Sequence, residues 1–177
     1  TAPAGYALDS SVQSFTVTAG QNTALSVSDT PTNDPVRISI NKVDSETGDK
    51  VQGGASLENA EFTVKYYAGY YNAGNLPANA TRTWVIKTLK TAGGNYMAAL
   101  NNTCKVSGDD FYKVSNGTVV LPLGTISIEE TKAPEGYNLD GAYLQVGGVG
   151  EKITGKYVAQ ITQNGNLAQL KGGNTFK

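Results

Sequence analysis

The 177-residue chain has no histidine and only one cysteine, one methionine and one tryptophan. Without histidine, a common metal ligand and the usual general base at neutral pH are both missing, and a single cysteine can form no disulfide within one chain. Most enzyme mechanisms fall away on that ground, and neither a metal nor a cofactor is expected. Charge is scarce as well: 14 basic and 15 acidic residues leave a net charge of -1. A chain so evenly charged is not built to track phosphates, so no nucleic-acid partner is expected. No apolar run approaches the roughly 20 residues of a membrane-spanning helix, and no membrane insertion of this stretch is expected. The opening TAPAGYALDS lacks the basic and apolar regions of a secretion signal, which fits a processed or excised piece.

Leu, Glu and Lys, which sustain long helices, are few, whereas the chain carries 21 Gly and ten Tyr alongside many Thr, Val and Ile. No amphipathic stripe with a 3.6-residue period exceeds about two turns, while period-two alternation recurs between Gly and Asn punctuation. An all-β, two-sheet sandwich is expected. A first hairpin is predicted from residues 14–18 and 24–28 around the turn Ala19-Gly20-Gln21-Asn22. Further strands are predicted over 36–43, 60–67, 81–88, 95–100, 111–114, 118–121, 125–131, 156–162 and 167–176.

Between the hairpin and the later strands, residues 30–35 carry two prolines and short polar residues, which read as an extended connector. An internal repeat reinforces that division. Ala2-Pro3-Ala4-Gly5-Tyr6-Ala7-Leu8-Asp9 matches Ala133-Pro134-Glu135-Gly136-Tyr137-Asn138-Leu139-Asp140 at six of eight positions. Residues 1–33 are therefore expected to be the tail of a preceding repeat, and 34–177 a nearly whole module.

Side chains two apart on a strand share a face, and this parity sorts the charged residues. Val36, Ile38 and Ile40 form an apolar face whose next member is Lys42. Ile126 and Ile128 lead in the same way to Glu130, whereas Glu129 joins the wet face. Leu170, Gly172, Asn174 and Phe176 form a third inward set, and Leu25, Val27 and Asp29 a fourth. A strand end is also where a lysine or glutamate commonly snorkels to solvent, so parity alone leaves an ordinary ion pair open. Lys65 falls on a polar face and reads as solvated.

Three segments then carry a resemblance: Ile40-Asn41-Lys42-Val43-Asp44, the run GASLENAEF over 54–62, and Ile128-Glu129-Glu130-Thr131-Lys132-Ala133-Pro134-Glu135-Gly136-Tyr137. In this order and spacing they resemble a collagen-adhesin B-type repeat, the SpaA or prealbumin-like pilin module of Gram-positive surface proteins, and the last segment resembles its E-box. The resemblance implies a prealbumin-like, Ig-like sandwich serving as a stalk or spacer in a cell-wall-attached adhesin or pilus-like protein outside the cell, with neighbouring repeats of the same polypeptide as partners. It also implies an intramolecular isopeptide bond formed once, without turnover. In that bond Lys42 is the nucleophile, Glu130 the acid and base, and an Asn or Asp of the last strand the acceptor.

Two acceptors stay open. Asn174 sits late and faces inward, but it follows two glycines and lacks the Thr-Pro exit usual in the family. Asp29, followed by Thr30-Pro31, has the better local match.

A rival reading is a binding module for a host glycan or matrix protein, using Tyr70 and Tyr71 in a Tyr-rich loop together with Trp84. Leu121-Pro122-Leu123-Gly124-Thr125 has the letters of a sortase signal in the wrong order and reads as a strand connection. The Asn-x-Thr sequons at Asn79, Asn101 and Asn116 read as incidental and Cys104 as a free structural thiol, while Asp109 and Asp110 make a poor calcium loop.

Overall fold

The structure, a computed structural model, describes residues 1–2, 6–27, 29–34, 38–162 and 169–177. Its strands are β1 (Tyr6–Ala7), β2 (Thr30–Pro31), β3 (Asn33–Asp34), β4 (Ser39–Asp44), β5 (Glu61–Tyr67), β6 (Arg82–Lys87), β7 (Leu89–Lys90), β8 (Tyr96–Ala99), β9 (Lys105–Gly108), β10 (Leu121–Pro122), β11 (Gly124–Lys132), β12 (Tyr143–Val146), β13 (Ile153–Thr154), β14 (Lys156–Ile161) and β15 (Leu170–Asn174). One sheet has five strands in the order β14-β11-β5-β6-β9, and the other has six in the order β13-β12-β15-β4-β8-β7. Two small ladders, β1 with β2 and β3 with β10, stand apart from them. No helix among the described residues is long and apolar enough to cross a membrane.

Alternation explains how the sheets meet. Phe62, Val64 and Tyr66 of β5, Trp84 and Ile86 of β6, and Ile126 and Ile128 of β11 are buried in one cluster with Ile38, Ile40, Leu144 and Leu170 from the opposing side. Each side chain so buried contributes about 1.5 to 3 kcal/mol, which makes the sandwich the dominant stabilising feature. β11 is also covered on its outer side near its start. The Thr125 hydroxyl donates to the Gly69 carbonyl and accepts from the Tyr71 amide, so the loop after β5 closes over it.

The pairing of β15 with β4 positions the site. It is parallel, with Gly172 opposite Lys42 and Asn174 opposite Asp44, while the other strand pairs run antiparallel. The first long strand and the last thus lie side by side in the middle of the sheet. The two glycines before Asn174 serve close packing: a Cβ on Gly172 would come within 3.3 Å of Ile40, and one on Gly173 would enter the Tyr143 ring.

Several expectations change. Residues 14–18 and 24–27 form no strands. A turn closes with the Gln21 amide bonded to the Thr18 carbonyl, but Val12, Val17 and Val27 stay exposed, and an isolated hairpin with no buried face is marginal in water. Residue 28 of that prediction lies outside the described residues, as do 36–37 and 167–168 at the starts of two others. Residues 111–114 and 118–120 reduce to a turn with one bridge, Lys113 to Val119. The connector is not wholly unpaired, because Thr30–Pro31 and Asn33–Asp34 each enter a two-residue ladder.

Candidate functional site

Lys42 leaves β4 on the same face as Ile38 and Ile40 and is 1% exposed. Glu130 leaves the end of β11 on the face of Ile126 and Ile128 and is 9% exposed. The two sheets bring them together: the Lys42 Nζ donates to Glu130 Oε2 at 2.7 Å inside the sandwich. The Phe62 ring lies 5.6 Å from the same nitrogen. Asn174, at the end of β15, is fully buried.

Burial decides the protonation chemistry. It pushes the Lys42 amine below its ordinary value, against the pull of the Glu130 charge and hydrogen bond. Burial also pushes the Glu130 carboxyl up, against the Lys42 charge and a smaller pull from the Asn174 side chain. Both directions favour the neutral pair over the ion pair. Moving one proton along the 2.7 Å hydrogen bond turns ammonium and carboxylate into amine and carboxylic acid.

Two buried acceptors in this pocket, Glu130 Oε1 and Asn174 Oδ1, have no hydrogen-bond partner among the described residues. Leaving such atoms unpaired costs about 1 to 3 kcal/mol each, so a proton shared between the two oxygens would stabilise the pocket. The other end of the Asn174 amide is held: its Nδ2 donates to the Asn138 carbonyl at 2.8 Å.

That carbonyl belongs to the segment after β11, which clamps the end of the last strand. The Asn138 amide donates to Thr175, the Lys177 amide to Gly136, and Tyr137 bridges to Phe176. The buried Tyr137 hydroxyl donates to Asp44 at 3.0 Å, and its ring meets Phe176 edge-on. Burial raises the Asp44 carboxyl, but hydrogen bonds from the Glu46 and Thr47 amides, Gln52 and Tyr137 outweigh it and hold the group low. Asp44 therefore acts as a fixed anion that ties the turn after β4 to the clamp. Parity did not single out Asp44 or Tyr137, although both stood in the segments that carried the resemblance.

Asp29 lies elsewhere, with its Oδ1 accepting from the Asp9 amide at 3.4 Å. Its surroundings reproduce the clamp in miniature: Tyr6 stands opposite Pro31 as Tyr137 does opposite Phe176, and Asp29 precedes Pro31 by two residues as Asn174 precedes Phe176.

The aromatic surface is corrected in part. Trp84 is fully buried, stacked on Phe111 and edged by Tyr112, so it cannot line a binding face. Its parity with Ile86 on β6 was the signal for this. Tyr70 is 54% exposed. Tyr71 is half-buried and its hydroxyl is tied to the Ala68 carbonyl. Cys104 is a buried free thiol.

Two packed sheets with almost no helix, one of them built around a parallel pairing of the first long strand and the last, define a prealbumin-like sandwich. The chain matches the family model of the SpaA prealbumin-like fold domain over residues 36–165, well over half its length, and it belongs to that family. The matched span holds Lys42 and Glu130 and stops short of Asn174. The family is one of structural modules of the pilin and adhesin type found in extracellular surface proteins, not an enzyme family. No curated protein matches the chain.

Proposed function

We propose that this module is a load-bearing spacer of a cell-wall-attached Gram-positive adhesin or pilus-like protein, locked by an isopeptide bond between Lys42 and Asn174 that Glu130 promotes. The observation that carries the reading is the buried Lys42–Glu130 contact beside a fully buried Asn174 whose carbonyl oxygen lacks a partner.

The chemistry follows from the neutral pair. The lone pair of the uncharged Lys42 Nζ attacks Asn174 Cγ. Glu130, as the acid, donates to Oδ1 and polarises the amide, so one proton gives both orphaned acceptors a partner. Glu130 then carries a proton from the attacking nitrogen to Nδ2. The Cγ–Nδ2 bond breaks, ammonia leaves, and the new amide joins β4 to β15. Strands fixed in register supply the proximity that makes amide exchange feasible. Because the lysine and the amide are consumed, each molecule reacts once.

The mechanical role rests on topology. β4 and β15 are parallel neighbours, and Lys42 and Asn174 lie toward the C-terminal ends of their strands. Tension applied at the two chain ends would run through the crosslink and bypass residues 43–173. The bond would also restrict the unfolded chain, as a disulfide closing a long loop does, by on the order of 4 kcal/mol.

Residues 1–33 fit the tail of a preceding repeat, with 34–177 as the module proper. The clamp-like register of Tyr6 with Pro31 and the exposure of Leu8, Val12, Phe15 and Val17 support that division. Neighbouring repeats of the same polypeptide are then the natural partners. A second reading, contact with a host glycan or matrix protein, is favoured only by the exposed Tyr70. A glycan-array signal lost in Tyr70→Ala would support it.

Peptide mapping tests the crosslink. A branched peptide joining Lys42 to the Asn174 segment supports the proposal. One joining Lys42 to Asp29 replaces the acceptor, and a folded chain with neither refutes the bond.

A further inference from the structure

A groove of about 390 Å³ opens beside Glu130, walled by Glu129, Leu139, Ala142, Thr154 and Gly155. Glu130 lines it, while Lys42 and Asn174 are sealed at 1% and 0% exposure. The groove wall from Leu139 onward directly follows Asn138, whose carbonyl holds the Asn174 Nδ2. Glu130, which must exchange protons, thus touches both the opening and the Asn174 side chain that carries the leaving nitrogen. Glu129 and Asp140 place carboxylates along it, which suits a departing cation.

We propose that this groove is the port of the crosslinking site, through which ammonia leaves as ammonium, and that it admits small primary amines to Glu130 and Asn174. The inference rests on the crosslink reading and adds a ligand class to it. Ammonia expelled from Asn174 takes a proton from water in the groove, and its departure makes amide exchange irreversible. In reverse, an amine entering by the groove could take the place of the lysine. It would attack Asn174 Cγ, transfer one proton through Glu130 to Nδ2, and leave an N-alkyl asparagine and one ammonia.

The fragment deleted by Lys42→Ala is n-propylamine, so that variant with added propylamine is the direct test. Its mass should rise by one propylamine less one ammonia, located at Asn174 by peptide mapping. Adding Thr154→Trp, which overhangs the groove from an exposed position, should slow the adduct by roughly tenfold or more, equivalent to about 1.4 kcal/mol on the barrier to entry. Thr154→Ser should not. Folded Lys42→Ala that gains no adduct, or that gains it equally fast with Thr154→Trp, overturns the port. Should Lys42→Ala fail to fold, never-folded, uncrosslinked parent chain with and without Thr154→Trp is isolated in denaturant, folded for the first time, and its ammonia release timed. Slowed release supports the port, and release at the parental rate overturns it. A parental chain that never loses ammonia overturns the crosslink itself and the port with it, a result separable from the others.

Discussion

Lys42 and Glu130, 88 residues apart in sequence, meet at 2.7 Å between the two sheets with their side chains 0% and 4% exposed. A buried ion pair is a weak source of stability, because desolvation offsets most of the attraction. The same contact is well suited to chemistry that needs a neutral amine beside a carboxylic acid, and a single proton shift separates the two states.

Glu130→Gln keeps the shape of the side chain but cannot accept the lysine proton. The expected product is a folded chain that retains its full sequence mass and a free Lys42 amine, detectable by amine-specific labelling after unfolding. Glu130→Ala, which leaves Lys42 buried without a partner, should lose about 3 to 5 kcal/mol relative to an uncrosslinked parent in denaturant titrations.

Asn174→Asp should still crosslink but release water instead of ammonia, and the released species distinguishes the two. Asn174→Ala should not crosslink at all. Its unfolding should be easier by on the order of 4 kcal/mol, the effect of reopening the long loop. Equal denaturant midpoints for Asn174→Ala and the parent would show that no covalent loop exists.

The uncrosslinked Asn174→Ala chain should have an unusual pH profile. Lys42 has a folded pKa below its ordinary 10.5, so the unfolded chain holds more protons in that window, and stability rises with pH through it. Glu130 has a folded pKa above its ordinary 4.5, so the folded chain holds more protons there, and stability falls as pH climbs from 4.5 through the raised value. Melting temperature should therefore pass through a trough at intermediate pH, where the falling Glu130 contribution meets the rising Lys42 contribution. The trough should vanish when Lys42→Met and Glu130→Gln are added.

Trp84→Ala removes a fully buried ring stacked on Phe111 and should cost about 3 to 5 kcal/mol of stability. Tyr70→Ala, at an exposed loop position, should change stability by no more than about 0.5 kcal/mol. Thermal melts of the two variants check the contrast.

The sandwich and the facing of Lys42, Glu130 and Asn174 were legible in the sequence because each residue continues a period-two apolar face, and such faces have little freedom in where they point. Asp44 and Tyr137 were less legible, since their roles depend on a turn and a clamp that join segments 93 residues apart. Strands β9, β12 and β13 escaped notice because they are short and end near glycines, so the alternation had no length over which to register. The hairpin expected over 14–28 had the right alternation, but Phe15, Val17, Leu25 and Val27 stay exposed and gain nothing from pairing. Trp84 was misplaced because a Tyr-rich loop nearby outweighed its shared parity with Ile86.

The intact mass of the folded chain tests the central claim most directly. The account expects the sequence mass less one ammonia, with a Lys42 side chain that no longer reacts as an amine. A folded chain at the full sequence mass, with Lys42 still free, would contradict it.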